Sequence, residues 1–275
     1  MESVVQALRG WTPRDRQTAA AVEYLAYEPE LFEVVSSHHA GIDGTQQFIL
    51  AFDRLTIGGP PGLHRAVAFH VDLGPLDHTC RVRQHRAPAF AWAGHWLVGQ
   101  GADPRAVADY LPVPADPYNF GPHDQVEGLL FGTDYGFARP AAGPTRLIEE
   151  RIRRSGDRYR ILRDGPAFDA CSNGEREGNY VLLHDRSARA VGRRFVIQLE
   201  TIRLTTATYS ITEGGFPTLR QARDWLTRID RTTGTAPALP ATDPVTGLAP
   251  PQVSAPVRPV REPHLPPTAT ARRGR

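Results

Sequence analysis

Hydrophobic and polar positions alternate most clearly over Val67-Ala68-Phe69-His70-Val71-Asp72-Leu73, which predicts a half-buried strand. Gly74-Pro75 then turns the chain into a second strand over 78–84. Phe48 to Phe52 predicts another, ahead of the glycine- and proline-rich passage Gly58-Gly59-Pro60-Pro61-Gly62. Upstream, Thr12-Pro13-Arg14-Asp15 reads as an N-cap, a first-turn proline and an acid three residues after the cap, so a helix is expected to about Tyr27. A short helix is expected over 30–36, after Glu28-Pro29. Large Phe90, Trp92, Trp96 and Val98 alternate with Ala89, Ala91 and Ala93, which predicts a strand over 89–98. Such an aromatic face serves as core or lines a ligand pocket. Asp103-Pro104 starts a helix that ends near Leu111.

The second half repeats this order. Thr145 caps a helix over 146–155 with Leu147, Ile148 and Ile152 as its apolar stripe. Its acids, Glu149 and Glu150, come early, and Arg151, Arg153 and Arg154 come late, as the helix dipole favours. Strands near 158–163, 179–184, 194–200 and 205–212 lead to Gly214-Gly215 and a terminal helix. Thr218 caps it, Gln221 completes a capping box, and Leu219, Ala222, Trp225, Leu226 and Ile229 form its buried face. Arg105–Leu111 matches Arg220–Leu226 at an offset of 115 positions, which suggests a tandem duplication of an α-β-β-β-β-α unit. The expected fold class is α+β, with two small helix-flanked antiparallel sheets.

Two proline-rich passages, Leu111–Pro117 and Pro140–Pro144, bracket the middle of the chain. The second is the better junction, because a helix starts straight after it. This divides the chain into domains 1–144 and 145–231, followed by a Pro/Arg-rich tail, 232–275. The tail holds ten prolines and no aromatic residue, so it is expected to be disordered.

Composition changes the picture chiefly by what is missing. All 32 basic side chains among the 275 residues are arginine. Without lysine there is no Walker motif, no pyridoxal Schiff base and no lysine-dependent kinase site. Abundant Ala, Gly and Pro beside the arginines point to GC-rich codons, so the arginine bias alone does not indicate phosphate. Its distribution is more telling. Residues 1–144 hold 10 arginines and 16 acids, 145–231 hold 17 and 12, and the tail holds five and two. Asymmetry of this kind directs attention to the C-terminal half. There Arg220, Arg223, Arg228 and Arg231 lie on or just beyond the outward face of the last helix, Arg193 and Arg194 open a strand, and Arg272, Arg273 and Arg275 end the tail. Such faces and arms neutralise phosphate. The strands followed by Gly-x-Phe216-x-Thr218 and a helix ending Trp225-Leu226 loosely resemble the small three-strand-plus-helix DNA-binding modules of tyrosine recombinases. The likeness implies DNA contact for this half and assigns no residue a role. The competing account is an ordinary solvated face, its arginines paired with Asp224, Asp230 and neighbouring acids.

Other chemistries are weaker. His64, His70, Asp72, His78, Cys80 and His85 have metal-binding side chains. A hairpin pairing Leu73 with His78 would put His78 and Cys80 on the apolar face. His70 and Asp72 would then lie on a solvated face with Arg81 and Thr79, so no metal or other cofactor is expected. His123 and Glu127 share a helical face as an acid/base or half-metal pair, or Asp124 and Glu127 simply favour a helix start. No Gly-x-Ser-x-Gly elbow occurs, and Gly99-Gln100-Gly101 lacks the third dinucleotide glycine. The leading expectation is therefore a non-enzymatic accessory protein contacting DNA, RNA or another polyanion through its basic half. One alternative is an enzyme or small-ligand binder with a pocket near His38, His39, Asp43 or His123. Another is a protein-interaction module that offers its proline-rich tail to a partner. The chain opens Met1-Glu2-Ser3 without a secretory pattern, contains no apolar run of about 20 residues, and has two cysteines, Cys80 and Cys171. These features predict reduced thiols, a cytoplasmic location and no membrane contact.

Overall fold

The computed structural model describes residues 2–27, 32–41, 44–53, 64, 66–111, 139–140, 143–168, 176–203 and 208–240. Among them the first half contains α1 (Glu2–Leu8), β1 (Thr12–Pro13), α2 (Arg16–Tyr27), β2 (Phe32–Ala40), β3 (Gln46–Asp53), β4 (Ala66–Gly74), β5 (Thr79–Ala87), α3 (Phe90–Gly99) and α4 (Pro104–Val107). The second contains β6 (Arg139–Pro140), α5 (Gly143–Arg153), β7 (Tyr159–Phe168), β8 (Arg176–Asp185), β9 (Phe195–Arg203), β10 (Thr208–Phe216) and α6 (Leu219–Leu226). The fold is α+β. Its two sheets have the same strand order, β1-β5-β4-β3-β2 and β6-β10-β9-β8-β7. In each, four antiparallel strands are edged by a two-residue strand that runs parallel to its neighbour.

The repetition extends to single side chains. Thr18 in α2 and Thr145 in α5 are both buried, and each Oγ1 accepts a backbone N–H from the last long strand: Val82 at 3.3 Å and Ile211 at 3.2 Å. An aromatic residue opening the first long strand pairs with a buried aspartate closing the next, as Phe32 with Asp53 and Tyr159 with Asp185. The closing helices share Pro88/Pro217, Ala93/Ala222, Trp96/Trp225 and Leu97/Leu226. The equivalent of Arg220–Leu226 is thus Ala91–Leu97 and not Arg105–Leu111, so the 115-position alignment is corrected. Residues 105–111 follow the unit they were taken to close.

The repeats stack head to tail within one compact unit, Met1–Asp243. On the outside of sheet 1, α1 and α2 bury Val4, Leu8 and Leu25 against Ile49, Val67, Phe69 and Val82. The other face of sheet 1, α3, α5 and the near face of sheet 2 form the central core, with Phe48, Leu50, Phe90, Trp92, Ile152, Val196 and Ile211. Beyond sheet 2, α6 packs Ala222 and Trp225 over Ile197, Leu199 and Phe216.

Several expected elements differ. Residues 90–99 form a helix where a strand was predicted. The segment is apolar all round because it is covered on opposite sides, and that pattern imitates alternation of large and small residues. Where the structure describes it, over 32–36, the expected helix is instead strand β2, which also holds His38 and His39. The helix predicted to reach Leu111 is a single turn capped by Asp103, whose carboxylate accepts the Arg105 N–H at 2.9 Å. The hairpin register pairs Leu73 with Cys80, leaving His78 exposed in the turn at φ 52°. The face bearing His70 is covered by α3, and His70 is buried, so it is not the solvated face expected. Finally, 232–240 belongs to the fold. The Trp225 Nε1–H donates to the Ala238 carbonyl at 3.3 Å, and Leu239 joins the core beneath α6. The rest of the predicted tail, from 241, lies outside the described residues.

Candidate functional site

The strand register gathers arginines at one end of sheet 2. Tyr159 pairs with Asp185, His184 with Phe195, and Phe195 with Phe216, so β7 and β9 begin where β8 and β10 finish. Arg160, the turn residues Arg186 and Arg189, and Arg194 are exposed at this end, and Arg193 is half-buried there. Exposed Arg220 and Arg223 arrive with the first turns of α6. Arg158 is committed to structure: its Nε and Nη2 grip Asp185 at 2.7–3.1 Å, and Asp185 caps the next turn through the Ser187 N–H at 2.9 Å. Among the exposed arginines, Arg220 lies 3.9 Å from Asp224 with both side chains largely in solvent, a separation worth little in water.

Of the residues proposed from sequence, Arg193, Arg194, Arg220 and Arg223 share this end. Arg228 and Arg231 are exposed further along and beyond α6, and Arg272, Arg273 and Arg275 lie outside the described residues. Sequence reasoning missed Arg160, Arg186 and Arg189. The run Arg186…Arg189…Arg193-Arg194 was visible, but pairing of β7 with β8 is what delivers Arg160.

A second constellation lies at the seam between repeats. Glu149 in α5 is 2 % exposed, and its Oε1 accepts hydroxyls from Tyr209 in β10 and, at 3.3 Å, from Tyr110 beyond α4. Arg153, 4 % exposed, places Nη1 3.7 Å from Glu149 Oε2, and its Nη2 donates to Glu150 at 3.4 Å. Burial pushes the Glu149 carboxyl above its ordinary range; the Tyr209 bond and Arg153 pull the other way without cancelling this. Burial, then the nearby Glu149 charge, raises the Tyr110 hydroxyl too. A cleft of about 260 Å³ opens beside these groups, with Leu147 and Arg146 on its rim. Beside it a polar chain crosses the same seam: Trp92 Nε1–H donates to Gln198 at 3.0 Å, Gln198 donates to Glu213 at 2.6 Å, and Arg151 pairs with Glu213.

The histidine candidates disperse. His64 lies 3.1 Å from Asp164 of β7, a bond that raises its imidazole against the opposing effect of burial. His85 stacks on Trp96, and His38 and His70 flank Phe48 in stacked contacts of 5.1 and 4.5 Å. Burial lowers His38, His70 and His85, favouring neutral rings. Cys80 is buried, and among the described residues no group of three or more His, Cys, Asp or Glu could hold a metal ion. Asp43, His123, Glu127 and Cys171 lie outside the described residues. No helix among the described residues is long and apolar enough to cross a membrane.

No family model, curated protein or solved structure matches the chain.

Proposed function

We propose that the chain contacts nucleic acid through the arginine-rich end of sheet 2, gripping the phosphate backbone without reading bases. The supporting observation is that separate elements contribute to one end: Arg160 from β7, Arg186 and Arg189 from the β8–β9 turn, Arg194 before β9, and Arg220 and Arg223 from α6. Guanidinium forks suit phosphate geometry, and phosphate neutralisation releases counterions whatever the sequence bound.

The test is fluorescence anisotropy of labelled single- and double-stranded DNA and RNA with the full chain, at about 50 and 200 mM salt. Contact with four to six phosphates predicts a loss of roughly two orders of magnitude or more across that range. Replacing Arg186, Arg189, Arg220 and Arg223 together by Gln should flatten the duplex-DNA log–log salt slope by about 3–4. Unchanged affinity and slope in that variant would reject the proposal and leave these arginines as a solvated face.

A further inference from the structure

The repeat provides an internal control for the buried charges at the seam. Matching Thr18 to Thr145, Glu149 corresponds to Val22, Arg153 to Ala26 and Leu147 to Ala20; on the last strand Tyr209 corresponds to Cys80. At these positions one copy has a half-buried valine, an exposed alanine and a buried cysteine where the other buries a carboxyl, a guanidinium and a tyrosine. Burying such groups is a poor way to stabilise a fold, because desolvation consumes most of the attraction between them. Arg153 is moreover incompletely satisfied: its Nε and Nη1 are buried without a hydrogen-bond partner. Glu150 is engaged elsewhere as well: its Oε1 faces Arg154 Nε at 2.5 Å, and its Oε2 meets Arg153 at Nη2.

Arg153 lines the 260 Å³ cleft together with Arg146, and Leu147, 66 % exposed, presents an apolar side chain at the same opening. We propose that this cleft binds a small organic carboxylate. Arg153 and Arg146 take its anionic head, and Leu147 and Ala108 cover its apolar part. Tyr110 and Tyr209 hold Glu149 as the floor. The lining sets Arg146 and Arg153 against Glu149 and Glu150, and burial pushes the Glu149 carboxyl toward its neutral form. This site is independent of the arginine-rich end of sheet 2.

Isothermal titration of the full chain with 4-methylpentanoate and with benzoate tests the proposal, with 4-methylpentanamide and inorganic phosphate as controls. Either carboxylate should bind with a Kd of about 1 mM or tighter, and the amide about tenfold more weakly. Leu147→Glu changes an exposed position and should reduce carboxylate affinity about tenfold while leaving the circular dichroism spectrum and melting temperature intact. A second variant, Glu149→Val with Arg153→Ala, installs the other repeat's residues and should abolish binding. Absence of heat with both carboxylates would overturn the site. So would carboxylate binding that Leu147→Glu leaves unaltered, or phosphate binding as tight as the carboxylates, since both mark surface ion capture only.

Discussion

Helices α3 and α6 occupy the same place in the two repeats, yet α3 reads Phe-Ala-Trp-Ala-Gly-His-Trp-Leu and α6 reads Leu-Arg-Gln-Ala-Arg-Asp-Trp-Leu. The stripe that meets each helix's own sheet is kept: Ala93, Trp96 and Leu97 correspond to Ala222, Trp225 and Leu226. Four of the remaining positions diverge. Ala91, Trp92, Gly94 and His95 face α5 and sheet 2, whereas Arg220, Gln221, Arg223 and Asp224 face solvent. A helix's outer face is thus dictated by what lies beyond it, not by its place in the repeat. For the phosphate proposal, Arg220 and Arg223 alone carry little weight, because any exposed copy of this helix needs polar residues there. Their convergence with Arg160, Arg186, Arg189 and Arg194 carries the argument.

Exchanging residues between the copies should expose the difference. A Cβ on Gly94 would lie 3.0 Å from the Val107 side chain and 3.3 Å from the stem of Arg153. Gly94→Arg should therefore cost about 4 kcal/mol or more, through overpacking and a buried charge, and unfold much of the protein in a thermal melt. Arg223→Gly, the reverse exchange, should cost only about 1 kcal/mol, the helix propensity of glycine. Similar costs for the two would refute the head-to-tail arrangement.

Where the copies agree, the effects should agree. Thr18→Val and Thr145→Val each strip a buried N–H of its acceptor, on Val82 and Ile211, and each should lose about 1–3 kcal/mol. Denaturant melts that separate the two by more than about 1 kcal/mol would show that the equivalence of these bonds is only geometric.

The smallest effect concerns pH. Glu149 is a carboxyl raised by burial, so folding favours its protonated form, and stability should fall as pH climbs from 4.5 through its raised value. Val22, its counterpart, has no such dependence. His64 acts in the same sense for the opposite kind of group. The Asp164 bond raises it, so its contribution is present below 6.5 and lost as pH rises through the folded value. Denaturant melts between about pH 4 and pH 8 should show a shallower decline for Glu149→Gln than for the wild type, and likewise for His64→Gln. Parallel curves would mean that the seam does not bind protons as described.

The sequence was legible where local chemistry and final environment coincide. The β4–β5 hairpin follows from its alternation, and α6 from Thr218, which accepts the Gln221 N–H at 3.2 Å. It misled where distant contacts decide. Nothing within 90–99 says that sheets lie on both sides, and nothing near His38 says that β3 is its neighbour. The arginines of α6 were readable as a face, but Arg160, Arg186 and Arg189 join them only through strand register. The Glu149 cluster was out of reach for the same reason, because its partner Tyr209 comes 60 residues later. The repeat itself was obscured because stacking places matched positions in unlike surroundings, which frees them to differ.

Head-to-tail stacking also has a stoichiometric consequence. A contact between two different faces does not close on itself, so a unit bearing both could add to its own kind without limit and grow into a filament. Here one such contact is made within a single chain. The face that would receive a third unit is α6, where the Trp92 and Gly94 positions hold Gln221 and Arg223. Those two exposed polar side chains turn to solvent the face that Trp92 and Gly94 bury in the first repeat.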